Sequence, residues 1–229
     1  MLLDLDGTLL DLVDRPDAVV ADDDLRGLLL RLSARLDGRV AIVSGRSLAQ
    51  LDLILGPVAH AIALTGSHGC EYRWRGVLEA PERPAALDTA AVRFGAFAAE
   101  RDGVALEMKS LGMALHFRLA PGAETDAYAL AESIARDTGL ALQPGKMMVE
   151  LRCPGGDKGS AVRRLMRQPP MTGTLPLFIG DDITDEAAFE AALGLGGVGV
   201  LVGQPRETAA RFGLPDPAAV REWLSEIAS

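Results

Sequence analysis

Four short stretches hold the side chains that could do chemistry. Asp4 and Asp6 stand one residue apart and are followed by Gly7 and Thr8. Ser44, Gly45 and Arg46 form a second group, Lys158 with Gly159 a third, and Gly180, Asp181, Asp182 and Asp185 a fourth. Carboxylates brought together repel one another unless a cation lies among them, and a donor set of oxygens alone suits Mg²⁺. Mg²⁺ bound in this way recruits phosphate oxygens, so the chemistry to expect is phosphoryl transfer. Asp4 can attack phosphorus to give an aspartyl phosphate. Asp6 can protonate the departing oxygen and later activate water. Gly7 permits a sharp turn. Thr8 and Ser44 can hydrogen-bond the phosphoryl oxygens, and Lys158 can neutralise their charge. Asp181 is the natural second metal ligand, and Asp182 and Asp185 are expected to hold metal-bound waters or to orient Lys158.

A lone Asp-x-Asp is most often a turn or a cap, and an acidic run such as Asp181 to Glu186 often does no more than cap a helix. The weight lies in where all four groups fall. Leu2–Leu5, Val40–Val43, Ala61–Leu64, Leu177–Ile179 and Val198–Val202 are short, nearly continuous apolar runs, as strands covered on both faces should be. Between them, Asp24–Leu36, Ser47–Leu55, Lys158–Arg167 and Thr184–Leu193 carry apolar residues at helical spacing, with Ser47 placed as an N-cap. Such alternation predicts a doubly wound α/β fold, a parallel sheet wrapped by helices. Ligands bind such a sheet at the carboxyl ends of its strands, and each of the four groups falls at a strand end or a helix start.

The middle of the chain reads differently. Gly103–Leu119 and Lys146–Arg152 alternate polar and apolar residues, with Leu115, Phe117 and Leu119 on one face and His116 and Arg118 on the other. That pattern predicts an antiparallel sheet with one wet face, its dry face covered by helices near Thr89–Glu100 and Thr125–Thr138. The expected organisation is a core domain of residues 1–76 and 151–229 with an inserted α/β cap of residues 77–150. Proline and glycine near Pro81, Pro84 and Pro154–Gly156 mark the hinges. Tyr72 and Trp74 are expected to pack at the hinge.

Composition narrows the partners. The 229 residues include 23 basic and 32 acidic side chains, net −9, which argues against a broad nucleic-acid surface. The longest apolar run, Ala191–Gly203, is glycine-rich and too short to span a bilayer. Cys70 and Cys153 are far apart and read as reduced thiols, which fits a cytoplasmic protein. No membrane or nucleic-acid partner is expected, only a small anionic substrate. The pattern leaves the oligomeric state open and is compatible with a monomer.

The motifs DLDGTL (4–9), VSGR (43–46), DKG (157–159) and GDDITDE (180–186) resemble those of the haloacid dehalogenase-like phosphohydrolases. SGRS (44–47), LTGSHGCE (64–71), LEMKSLGMALHFR (106–118) and GKMMVELR (145–152) extend the resemblance to trehalose-6-phosphate phosphatases of the bacterial kind, over nearly the whole chain. The resemblance implies a capped core, Mg²⁺ dependence, an aspartyl-phosphate intermediate and release of trehalose and phosphate. Carried over by position, Asp4 is the nucleophile and Asp6 the acid/base with its main-chain carbonyl on the metal. Ser44 and Lys158 hold the phosphoryl group, and Asp181 completes the protein's metal ligands, with Asp182 beside it. Arg46 reaches the phosphate or the inner sugar, and His68 can touch the sugar. Glu107, Lys109, His116, Arg118, Lys146 and Glu150 match the cap positions that face the disaccharide. Three alternatives remain at this point: another sugar phosphate, such as that of sucrose or mannosylglycerate; a sensor that binds without turnover; and a receiver-like module whose aspartyl phosphate is the signal. Only Met1–Leu3 precede Asp4, so the first strand is expected to be short. A few apolar residues added upstream should raise the melting temperature, which a comparison of the two forms checks.

Overall fold

The computed structural model describes residues 1–12 and 19–229. The chain divides into two compact units, Met1–Ala80 with Gly156–Ser229 and Pro81–Gly155.

The larger unit is built on an eight-stranded sheet. Its strands are β1 (Leu2–Leu3), β2 (Ala41–Val43), β3 (Ala63–Gly66), β4 (Glu71–Trp74), β5 (Val77–Glu79), β10 (Leu177–Gly180), β11 (Val198–Val202) and β12 (Phe212–Leu214), in the spatial order β12-β11-β10-β1-β2-β3-β4-β5. Pairing is parallel from β12 to β3 and antiparallel for β4 and β5. Successive strand residues go to opposite faces, which is why the runs are apolar throughout. Leu3, Ile42, Leu64, Ile179 and Val200 join a core with α1 (Asp23–Arg35), α2 (Leu48–Leu55) and α7 (Pro217–Ile227). Leu2, Ala41, Val43, Ala63 and Phe178 join another with α5 (Lys158–Leu165) and α6 (Glu186–Gly194). Phe178 meets Phe189 of α6 edge to face at 5.5 Å. The doubly wound expectation is realised. The helix ends follow from their side chains: Ser47 accepts from Gln50 N in a capping box, and Asp157 caps α5 with Ser160 in the same way.

β1 has two residues, fewer than the apolar run Leu2–Leu5 suggests, but both are fully buried and paired on each side. Asp4 N adds one further bond, to Ile179 O at 2.9 Å. Tyr72 and Trp74 are not hinge packing. They lie on β4, buried in the same apolar core as Phe178, because β4 turns back antiparallel against β3.

The smaller unit has a four-stranded antiparallel sheet in the order β6-β7-β9-β8, from β6 (Ala105–Met108), β7 (Gly112–His116), β8 (Ala141–Gly145) and β9 (Met148–Arg152). Its own core joins Met113, Leu115, Val149 and Leu151 to α3 (Ala86–Ala99) and α4 (Glu124–Thr138). The two-faced alternation is therefore present, with three departures. β8 was not signalled by its sequence, since Gln143-Pro144-Gly145 reads as a turn. Leu119 lies beyond the end of β7 and is 67% exposed rather than on the dry face. Lys146 is not a strand residue: with Met147, at φ 60°, it forms the two-residue turn joining β8 to β9. Both expected boundaries of the insertion fall close to strands. Val77–Glu79 pairs with β4 in the large sheet, and β9 runs past residue 150.

Candidate active site

The order of the sheet makes the site. β10, β1 and β2 are neighbours, so Asp181, Asp4 and Ser44, each just beyond the end of its strand, emerge side by side. Lys158 opens α5, which packs on α6 and, through Ala161 and Val162, joins the core beneath β1 and β2.

Lys158 is 97% buried, with its Nζ 2.9 Å from Asp4 Oδ1 and 2.7 Å from Asp185 Oδ1. Oxygens of Asp4, Asp181 and Asp185 all lie within 4.8 Å of one another. One ammonium thus faces three carboxylates. Burial alone would lower the pKa of Lys158, but the charges of Asp185 and Asp4 outweigh it and hold the lysine protonated. Burial pushes Asp4 well above the ordinary carboxylate range, opposed by Lys158 and reinforced by Asp185 and Asp181. Asp181 is pushed up to about 7, by burial first and then by the charge of Asp185.

This donor set fits a divalent cation that prefers oxygen. Asp185 is committed elsewhere: Oδ1 holds Lys158, and Oδ2 accepts from Asp181 N and Asp182 N, each at 3.0 Å. That leaves Asp4 and Asp181 to face an ion. Space for Asp181 depends on Gly7, at φ 79°, where a Cβ would come 2.1 Å from Asp181 Oδ2.

Other expected residues fall as follows. Thr8 is fully buried and donates to Asp181 Oδ1 at 3.4 Å, so in this structure it meets the acidic loop. Ser44 is buried, its Oγ accepting from Arg46 N at 3.1 Å. Arg46 grips both oxygens of Asp6, Nε to Oδ2 at 2.6 Å and Nη2 to Oδ1 at 2.7 Å. The Asp6 side chain therefore faces a guanidinium and stands outside the three-carboxylate cluster, as does Asp182, whose Oδ1 accepts from Ile183 N at 2.6 Å to cap the next turn. Asp6 was expected at the metal through its main-chain carbonyl, and Asp182 beside Asp181; the third member of the cluster is Asp185, which holds Lys158 as expected.

His68 is buried in the left-handed region, at φ 54°, with its ring against Gly45, where a Cβ would lie 2.7 Å from Cε1. Ser67, at φ 49°, precedes it. Their amides hold the second group in place, Ser67 N to Arg46 O at 2.8 Å and His68 N to Ser44 O at 3.1 Å. Glu71 completes this brace, accepting from Leu48 N at 3.0 Å and Ser67 Oγ at 2.7 Å. No spacing rule assigns Glu71 that part.

In the smaller unit, register puts Glu107, Ala114 and Glu150 in one row across β6, β7 and β9, with His116 on the same face. Lys109 Nζ lies 2.5 Å from Glu150 Oε2, and His116 Nε2 lies 2.8 Å from Glu107 Oε2. Glu150 is only 1% exposed, so this part of the polar face is a built cluster rather than a solvated one. Arg118 lies just past β7, half-buried, and Lys146 is exposed in its turn.

Comparison with known proteins gives the family and the fold. The trehalose-phosphatase family model matches residues 2–217. The Trehalose-6-phosphate phosphatase of Escherichia coli K12 is 37% identical over 229 residues, covering 98% of this chain and 84% of its own. The solved C-terminal domain of a Candida albicans trehalose-6-phosphate phosphatase superposes with a TM-score of 0.85 at 25% identity, covering 99% of this chain and 90% of that one. A crystal structure described as a trehalose-6-phosphate phosphatase related protein gives 0.84 at 30% identity, covering 99% and 96%. With a doubly wound core, a second antiparallel sheet and these matches along its whole length, the chain belongs to the trehalose-phosphatase family of phosphomonoester hydrolases.

Proposed function

We propose that the chain hydrolyses trehalose 6-phosphate to trehalose and phosphate with Mg²⁺, through an aspartyl phosphate on Asp4. The observation that carries this reading is the buried Lys158 bridging Asp4 and Asp185 beside Asp181. It holds Asp4 in place, opposes the effect of burial on its charge, and offers positive charge to a phosphoryl group. Mg²⁺, held by Asp4 and Asp181, would supply the remaining positive charge against the phosphoryl oxygens.

Asp4 attacks phosphorus, the bond from phosphorus to the sugar oxygen breaks, and Asp6 gives that oxygen a proton. Water then attacks the acyl phosphate, Asp6 takes a proton from it, and phosphate leaves with Asp4 restored. Both Asp6 oxygens are held by Arg46 here, so the acid step requires Asp6 to leave that grip. Ser44 and Thr8 border the phosphoryl site. The polar face carrying Glu107, Lys109, His116 and Glu150, with Arg118 and Lys146 near its edges, supplies donors and acceptors for sugar hydroxyls. Cys70 and Cys153 are outside any disulfide, which supports action in the cytoplasm, and no helix among the described residues is long and apolar enough to cross a membrane.

The test is phosphate release from trehalose 6-phosphate, glucose 6-phosphate and sucrose 6-phosphate, with and without Mg²⁺. Strong preference for the first, lost without the metal, is expected. Equal turnover of all three would remove the disaccharide assignment, and turnover without Mg²⁺ the metal.

A pH dependence follows from Asp181. Its folded-state pKa lies above the unfolded value, so the metal-free folded protein holds the extra proton. Stability from this group therefore falls as pH rises from about 4 to 7, and Mg²⁺ offsets that loss. The rise in melting temperature on adding Mg²⁺ should be clearly larger at pH 8 than at pH 5.5. Thermal shifts of equal size at the two pH values would contradict it.

A further inference from the structure

Asp181 differs from its two neighbours in how it is held. Asp4 and Asp185 are anchored by their side chains on Lys158, whereas Asp181 is held by a long bond from Thr8 Oγ1, at 3.4 Å, and by the backbone of the loop 181–185, where its amide donates to Asp185 Oδ2. Among the described residues, that backbone has a side-chain support from outside the acidic motif. Arg206, in the stretch between β11 and β12, reaches back to donate from Nη2 to Asp182 O at 2.8 Å. Its Nη1 is paired with Glu186 Oε1 at the start of α6 and also donates to Glu207 O at 3.1 Å. The other oxygen of Glu186 accepts from Ala209 N at 2.9 Å, tying that stretch to the head of α6. The guanidinium is therefore fixed on a rigid helix end before it meets the carbonyl of Asp182, one residue beyond Asp181. A planar fork held in this way transmits position better than a single flexible donor.

We propose that Arg206, locked by Glu186, is a positioning residue that sets the Asp181 carboxylate for Mg²⁺. The inference rests on the metal reading above, and the experiment separates the two. Mg²⁺ is titrated calorimetrically into the full chain free of phosphate, with melting temperatures measured alongside. Arg206→Ala should weaken Mg²⁺ binding about tenfold, the size usual for lost outer support of a metal ligand. Arg206→Lys, which keeps one donor for Asp182 O, should recover part of that loss. Glu186→Gln should move affinity in the same direction by less. In assays, the Mg²⁺ concentration for half-maximal rate should rise while kcat at saturating Mg²⁺ changes little. Wild-type Mg²⁺ affinity in Arg206→Ala would overturn the proposal, whether or not the variant melts earlier. If Arg206→Ala does not fold, unchanged affinity in both Arg206→Lys and Glu186→Gln would do the same. Absence of Mg²⁺ binding by the parent chain would overturn the metal reading, and this inference with it.

Discussion

Asp4→Asn is expected to lower phosphate release from trehalose 6-phosphate by about 10⁴–10⁶-fold, the usual consequence of removing a nucleophile that acts with its partners as a unit. The same substitution should leave the melting temperature unchanged or slightly raised. Asp4 sits in a cluster where burial already disfavours its charge, and an amide of the same shape relieves repulsion with Asp181 and Asp185. Lys158 keeps its second partner, Asp185, at 2.7 Å. The combination of intact fold and lost turnover is what distinguishes a nucleophile from a structural carboxylate. Phosphate release at the parent rate would refute the assignment, and a large fall in melting temperature would show that Asp4 serves mainly to hold Lys158.

Lys158→Met should be damaging in both respects. It leaves Asp4 and Asp185 buried without the charge they share, a change that typically costs about 3–5 kcal/mol. For a chain of this size that corresponds to a fall in melting temperature on the order of 10 °C. The loss should shrink as pH falls from 8 to 5, because protonating the stranded carboxyls removes the repulsion. Adding Asp185→Asn should restore much of the stability and none of the activity, a non-additivity expected of groups in direct contact. Melting curves of the parent, both single variants and the double variant measure it. Additive melting shifts would show that the two side chains do not act as a pair.

Much of the larger unit was legible because its signals are local. Continuous apolar runs mark β2, β10 and β11, helical spacing marks α1, α2, α5 and α6, and Ser47 announces the start of α2. In the smaller unit the alternation around Leu115 and Val149 put the polar and apolar faces correctly. What failed was also local in cause. Leu119 continues an alternating pattern after the strand has ended, and Lys146 begins one before the strand starts, since periodicity does not mark where pairing stops. β8 was hidden by Pro144 and Gly145, which a strand at the edge of a sheet tolerates.

At the site, residue types alone singled out Asp4, Lys158 and Asp181, which the fold brings together, because opposite charge and oxygen ligation are properties of the side chains themselves. Which carboxylate closes the cluster was decided by the fold. Asp185 enters because its loop turns back so that Oδ2 caps two amides, while Asp182 is spent on capping the next turn. The grip of Arg46 on Asp6, the brace of Glu71 and the strut of Arg206 join residues 40, 23 and 24 positions from their partners. Sequence determines which groups are able to bind and react. Distances between remote groups are set by the order in which strands pair and helices pack, and no local pattern encodes that order.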